Sequence, residues 1–215
     1  MNASIPFATW EPIVDLASDV IVGGEILCVH PHPASPRAWR AWYARVGDVV
    51  TQADLSGLCT INIDTHQILD QRLMRTLLTA VAKSPATIDW HIEWTERGSH
   101  HHIEAAASIL TNLRDRRADI GLAVDDVGAG QDGLRRIELT LPDLIKIDRH
   151  LLVRAHQRKS ARSIIEHVAS IGREIGAQTV CEGIETAADR ALVRDMGIDW
   201  GQGYLWPARH LVRPL

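Results

Sequence analysis

Ten polar side chains stand at or near the C-terminal ends of short apolar runs. Glu25 lies in VIVGGEILCVH (20–30), Asn62 in LCTINID (58–64) and Glu93 in IDWHIEWT (88–95). Asp125 and Asp126 close DIGLAVDD (119–126), and Lys146 and Asp148 lie in LIKIDR (144–149). Glu182 ends AQTVCEG (177–183) with Glu185 just beyond, and Gln202 sits in WGQGYLW (200–206). A single acid at a strand end reads as a helix N-cap, but caps do not explain such a succession. Carboxylates converging on one mouth repel unless cations neutralise them. Oxygen ligands from Asp, Glu and Asn favour hard cations such as Mg²⁺ or Mn²⁺. A carboxylate shared by two ions is the mark of two-metal phosphodiester chemistry. Lys146, set among apolar residues, could orient an attacking water, steady the phosphorus centre or pair with Asp148. One detail needs a structural answer. Neighbouring strand residues point to opposite faces, so Asp125 and Asp126 can share a solvated side only where the strand ends.

The elements that must hold these residues alternate in type. With EPIVDL (11–16) the apolar runs number eight, rich in Val, Ile and Trp and bounded by polar or glycine residues. Helical stripes lie between most of them: Leu69, Leu73, Leu77 and Val81; Ile103, Ala106, Leu110 and Leu113; Ile164, Val168, Ile171 and Ile175. Thr186 and Asp189 form a capping-box pattern opening a helix over 187–196, with Gly197 as its stop. Alternating strands and helices imply parallel pairing with crossovers. The α/β class follows, with a TIM-like (β/α)8 barrel ahead of a doubly wound open sheet. In a barrel the strand C-termini converge on one mouth, where active sites are built. The first two runs are joined by too few residues for a crossover, so they should form an antiparallel hairpin.

Composition narrows the function class. The 215 residues are 46% hydrophobic, enough for a full core in one domain, 1–215. A net charge of −4 argues against binding DNA or RNA duplexes through a basic surface. Cys28, Cys59 and Cys181 lack metal or disulfide spacing and read as reduced cytoplasmic thiols. No signal peptide or apolar span of membrane length is seen, so membrane insertion is not expected. His30 and His32 make an H-x-H like that of amidohydrolase barrels, but the later strand ends carry Glu, Asp and Lys instead of further histidines. His100, His101 and His102 read as a solvated helix start.

With these residues in place, the chain resembles the EAL-domain cyclic di-GMP phosphodiesterases over nearly its whole length. The signature tripeptide appears as Glu25-Ile26-Leu27, followed in order by INID, EWTE, DDVGAG, KID, EGIE and QGY. One such motif is weak evidence, and seven in order are strong. The resemblance implies a modified barrel with one antiparallel strand, which agrees with the hairpin argument. It implies hydrolysis of cyclic di-GMP to linear pGpG with two Mg²⁺ or Mn²⁺ ions. By the same resemblance Glu25, Asn62, Glu93 and Asp125 hold the first metal, Asp125 bridges to the second, Asp126 completes it and Glu182 assists through water. Lys146 acts on the attacking water or the phosphorus centre. Gln202, Glu185, Asp148 and Leu27 line the substrate pocket, and Glu96 anchors the loop 127–134. A homodimer near that loop is also implied. The chain departs from the pattern at three places. Val29 replaces an arginine expected to grip a substrate phosphate, Glu11 replaces a glutamine, and Val127, Ala129 and Gln131 replace the usual Phe, Thr and Tyr. The metal ligands all stand, which favours an enzyme. The changes at 11 and 29 favour a non-catalytic receptor or protein-interaction module.

Overall fold

A computed structural model describes residues 7–30, 33–95, 102–130 and 132–211. The expected loop anchor Glu96, together with Gln131, His32, His100 and His101, lies outside them, and so do the side chains of Val29 and His30.

The chain opens with the expected hairpin. β1 (Phe7–Asp15) pairs antiparallel with β2 (Ile21–His30), in a register that sets Glu11 opposite Glu25. From β2 the sheet runs parallel through β3 (Gly57–Ile63), β4 (Ile88–Trp94), β5 (Ile120–Val127), β6 (Leu144–Ile147), β7 (Gln178–Cys181) and β8 (Trp200–Gln202). β8 returns to β1, again antiparallel, and the barrel closes. Closure removes the exposed edges of the β1–β8 sheet, which otherwise invite pairing with other chains.

Helices cover the outside of the barrel, beginning with α1 (Pro36–Tyr43) and α2 (Val46–Gln52). α3 (Thr65–Leu69) and α4 (Gln71–Val81) break the first expected stripe at Asp70, whose carboxylate accepts from Arg72 N and Leu73 N as the cap of the second helix. α5 (Ile103–Arg116) buries Ile103, Ala106 and Leu110 as its spacing demands. α8 (Lys159–Ile175) corrects the third stripe. It buries Ala161, Ile165, Val168, Ala169 and Gly172, while Ile164 is exposed. The small residues decide this. A Cβ at Gly172 would lie 2.7 Å from Thr179 Cγ2, so this face seats the helix closely on β7. α9 (Ala187–Asp195) carries the full capping box, Thr186 with Asp189.

Three run ends were set too long. LIKIDR stops as a strand at Ile147 because Asp148 caps α7 (Arg149–Ala155), accepting from His150 N at 2.8 Å. AQTVCEG stops at Cys181. WGQGYLW stops at Gln202, where Gly203, at φ +150, passes over the backbone of Ile184 so closely that any Cβ would lie 2.4 Å from it. The short β9 (Arg209–His210), which pairs with Thr9 and Trp10, escaped the sequence reading because two residues carry no period.

Inside the barrel, side chains stack in layers. The lower layer is apolar: Ile13, Leu58, Ala123, Leu144 and Val180 pack together, with Trp200 against them. Strand side chains repeat every second residue, so the next positions up the same strands are Glu11, Thr60, Asp125, Lys146, Glu182 and Gln202. The site stands on an apolar floor.

Candidate active site

Lys146 is the centre of the upper layer. Its side chain has no solvent exposure, and its Nζ lies 2.5 Å from Glu93 Oε1, 2.7 Å from Glu182 Oε1, 2.9 Å from Glu25 Oε2 and 3.5 Å from Asp125 Oδ1. Three strands and the residue just past a fourth, β7, thus deliver one carboxylate each to one ammonium. The pairing with Asp148 does not form, because Asp148 turns away to cap α7 and takes a 3.0 Å contact from His150 Nδ1.

One cation does not balance four buried carboxylates, and proton affinities register the excess. Burial and the neighbouring Glu25 raise the Glu93 carboxyl well above its usual range. Burial is also the main reason that Glu182 is pushed up to about 8, with Lys146 opposing it. Burial, then Asp125 and Asp148, push Asp126 up to about 6. Glu25 moves the other way: burial opposes its ionisation, but Lys146 and the hydrogen bonds from Lys146, Gln202 and Asn62 outweigh it. Burial likewise opposes the charge on Lys146, and the surrounding carboxylates hold its pKa well above the ordinary value.

The adjacent aspartates reach one mouth through a backbone irregularity. The β5–β6 register shifts between Val124 and Val127, and Asp126 adopts φ +57. This left-handed conformation is uncommon for any residue but glycine, and Asp tolerates it better than most. It breaks the alternation that would send Asp126 to the outer face. Arg136, on α6 (Gly133–Thr140), clamps the neighbouring strand ends from behind. Its Nη1 donates to Trp94 O at 2.6 Å and its Nη2 to Asp125 O at 2.8 Å, while the guanidinium covers the Trp94 ring. Arg136 is 2% exposed. The sequence reading missed it, since an arginine in a helix ordinarily faces water.

Asn62 donates to Glu25 Oε1. Its backbone carbonyl accepts from the Tyr43 hydroxyl at 3.0 Å. Gln202 Nε2 donates to Glu25 Oε2 at 2.8 Å and reaches Glu11 Oε2 at 3.4 Å. The amide therefore separates two glutamates that face each other across the β1–β2 pair, where like charges directly opposite are destabilising. Burial and Glu25 raise the Glu11 carboxyl above its usual range.

The donor set suits divalent cations. The side chains of Glu25, Glu93 and Glu182 offer oxygens within 4.8 Å of one another, as do those of Asp125, Asp126 and Glu182. Glu182 is common to both groups. Asn62 Oδ1, Glu93 Oε2, Asp125 Oδ1 and Gln202 Oε1 are buried acceptors without a hydrogen-bond donor among the described residues. Leaving such atoms unsatisfied is costly, and a cation among them removes the cost.

Above the cluster the mouth opens into a cleft with two lobes. One, of about 440 Å³, extends past Asn62, Asp125 and Asp126 to Trp39, Asp64 and Gln67. The other, of about 430 Å³, passes Glu182 and Gln202 to Arg149, Glu185 and Tyr204. Glu11, Glu25 and Leu27 line both.

Residues 40–208 match the EAL domain. The chain belongs to the EAL domain family. Among curated relatives of this EAL domain is the cyclic di-GMP phosphodiesterase RocR of Pseudomonas aeruginosa, 28% identical over 234 residues, covering 95% of this chain and 58% of that protein. The first relatives matched are all longer, and the chain spans between 22% and 58% of their lengths. Solved structures with the same fold include an EAL domain protein from Listeria monocytogenes, at TM-score 0.76 and 22% identity, covering 96% of this chain and 89% of that one. A manganese and cyclic di-GMP complex of Klebsiella pneumoniae BlrP1 matches at TM-score 0.77 and 23% identity, covering 97% and 57%. The family match begins after the β1–β2 hairpin, so the element that carries Glu25, and both departures at 11 and 29, precedes the matched residues.

Of the residues singled out from sequence, the structure brings Glu25, Asn62, Glu93, Asp125, Asp126, Lys146, Glu182 and Gln202 to one cluster, with Leu27 and Glu185 in the cleft above. Asp148 is engaged as a helix cap and lines neither lobe. Trp39, Asp64, Gln67, Arg149 and Tyr204 were not anticipated as cleft residues. Among them only the QGY motif carried a signal, for Tyr204. No helix among the described residues is long and apolar enough to cross a membrane.

Proposed function

We propose that this EAL domain, read as one unit over 1–215, is a metal-dependent phosphodiesterase that hydrolyses cyclic di-GMP to linear pGpG. The observation that carries this reading is the set of four carboxylates around Lys146 with Asp126 beside them, acceptor oxygens without a donor among the described residues, and two metal-sized groups that share Glu182. The curated relatives named cyclic di-GMP phosphodiesterases and the metal complexes of BlrP1 support the choice of substrate and of divalent ions.

Glu25, Asn62, Glu93 and Asp125 would hold one Mg²⁺ or Mn²⁺, and Asp125, Asp126 and Glu182 a second. Two such ions, when bound, supply a water that ionises near neutral pH and charge to offset the phosphodiester. The protein's own groups do the rest. Lys146, fixed from four sides, keeps the Glu25, Glu93 and Glu182 oxygens at set distances and carries a positive charge beside the reacting phosphate. Gln202 holds Glu25 and keeps Glu11 apart from it. In the overall step a water oxygen bonds to phosphorus, the bond from phosphorus to the 3′-oxygen breaks, and that oxygen leaves as a hydroxyl.

The second reading is a receptor that binds cyclic di-GMP without turnover. Two observations favour it: valine at position 29 and a carboxylate at position 11. Incubating the purified protein with cyclic di-GMP and Mn²⁺ or Mg²⁺, with a chelator control, decides between the two. Metal-dependent appearance of pGpG on chromatography is the expected result. Binding by calorimetry without product would make the protein a receptor. We also place the domain in the cytoplasm, on the strength of this substrate and of three free thiols. A homodimer is part of the proposal. Leu134 and Ile164 are exposed beside an apolar groove of about 470 Å³ that borders the loop after the aspartate pair. Light scattering on wild type and Leu134→Glu tests it.

A further inference from the structure

The two lobes of the cleft differ in charge. Carboxylates line both, yet among the described residues lining either lobe Arg149 is the one cation. Lys146 lies beneath, fully enclosed by its carboxylates. Arg149 is the first residue of α7 and is exposed. Its stem crosses Gly183: a Cβ at that glycine would lie 2.5 Å from Arg149 Cβ. The EGIE segment therefore needs glycine at this point for the arginine to lie over it. Glu185 and Glu11 line the same lobe, but Arg149 makes no ion pair or side-chain hydrogen bond with any described residue. A guanidinium held beside several carboxylates and paired with none keeps its fork of donors available.

Available donors matter most for a ligand with two phosphates. An anion entering this cleft meets repulsion on nearly every wall. Divalent ions at the acidic cluster can neutralise one phosphodiester, which leaves a second one in the same molecule without a partner. Position 29 on β2 is a valine and brings no charge. The planar guanidinium matches the spacing of phosphate oxygens and binds them in bidentate fashion.

We infer that Arg149, carried over Gly183, forms a subsite in the second lobe for the phosphodiester that is not cleaved, so that a cyclic dinucleotide lies across the cleft with one phosphate over the acidic cluster and the other on this arginine. The inference rests on the phosphodiesterase reading and adds a binding residue to it.

Steady-state kinetics on the metal-loaded protein test the subsite, with cyclic di-GMP as a substrate of two phosphates and bis(p-nitrophenyl) phosphate as a substrate of one. Arg149→Ala should raise KM for cyclic di-GMP by about 10- to 100-fold, the worth of a hydrogen-bonded charge pair, with kcat changed far less. Arg149→Lys should recover part of the loss. The loss on bis(p-nitrophenyl) phosphate should be smaller by about tenfold, because that substrate has nothing to place on the arginine. Raising the salt concentration should narrow the gap between wild type and Arg149→Ala. Equal losses on both substrates, or no change in KM, would overturn the subsite while leaving the phosphodiesterase reading intact. A wild-type protein that cleaves bis(p-nitrophenyl) phosphate but neither binds nor cleaves cyclic di-GMP would overturn both.

Discussion

The two layers inside the barrel meet on β5, β6 and β7, where Ala123, Leu144 and Val180 lie two residues below Asp125, Lys146 and Glu182, yet they are held together in opposite ways. The lower layer, Ile13, Leu58, Ala123, Leu144 and Val180, is close-packed and apolar. It gains stability simply by leaving water. The upper layer puts Glu25, Glu93, Asp125 and Glu182 around one lysine. Burying those charges costs more than the single cation returns, so this layer draws on the stability of the one beneath it. The contrast teaches where function was bought: a rigid apolar floor lets the mouth keep a charge arrangement that would not assemble by itself.

The sharpest way to break this comparison is to remove a carboxylate from the upper layer. Glu25→Gln or Asp125→Asn should lower turnover of cyclic di-GMP by about a thousandfold, on the order of 4 kcal/mol in barrier height. Thermal stability of Asp125→Asn should hold or rise, because repulsion is removed along with the ligand, whereas Glu25→Gln also gives up the favourable contacts of Glu25 with Lys146, Gln202 and Asn62. Full activity in either variant would sink the proposed metal assignment. Replacing the cation does the reverse. Lys146→Met leaves four buried carboxylates uncompensated and should cost about 3–5 kcal/mol in chelator. Saturating Mn²⁺ should recover much of that, about 2.7 kcal/mol at a hundred times the dissociation constant. A melting temperature of Lys146→Met that ignores both chelator and Mn²⁺ would show that the upper layer is not strained by charge.

The floor should answer differently. Leu144, 1% exposed, sits two residues below Lys146 on β6. Leu144→Ala should cost about 2–5 kcal/mol through lost burial and a cavity. That loss should be the same with and without Mn²⁺, read from denaturant melts, since no ligand is touched. The smallest effect belongs to a position in neither layer. Thr186 caps α9 by accepting from Asp189 N at 3.1 Å. Thr186→Ala should lower stability by about 1 kcal/mol and leave KM for cyclic di-GMP unmoved. A change in KM there would mean that the α9 end of the EGIE loop communicates with the cleft.

Local patterns made much of this legible. Strand runs rich in Val and Ile, helical stripes and the Thr186–Asp189 box each depend on neighbours within a few residues, so the elements and the antiparallel hairpin could be read directly, with a barrel ahead of a doubly wound sheet. Acids at successive strand ends pointed to a cation site for the same reason, since parallel strands bring their C-termini to one mouth. The errors fall where a distant contact decides. Asp148 looks like a partner for Lys146 along the chain, but the start of α7 claims it. The Ile164 stripe obeys the helical period as well as the Ile165 stripe does, and only the close approach of β7 selects the latter.

What the sequence by itself determined, then, is the cast of elements and the chemistry they bring together, because secondary structure follows from local periodicity and barrel topology from the alternation of elements. The tertiary structure alone decided how that chemistry is wired. It set Lys146 among four carboxylates, turned Asp126 inward by a left-handed backbone step, buried Arg136 against two carbonyls and set Arg149 over Gly183 without an ion pair among the described residues. Each of these depends on distances between residues far apart in the chain, and electrostatic energies change several-fold over such distances in a buried site. No spacing along the sequence encodes them.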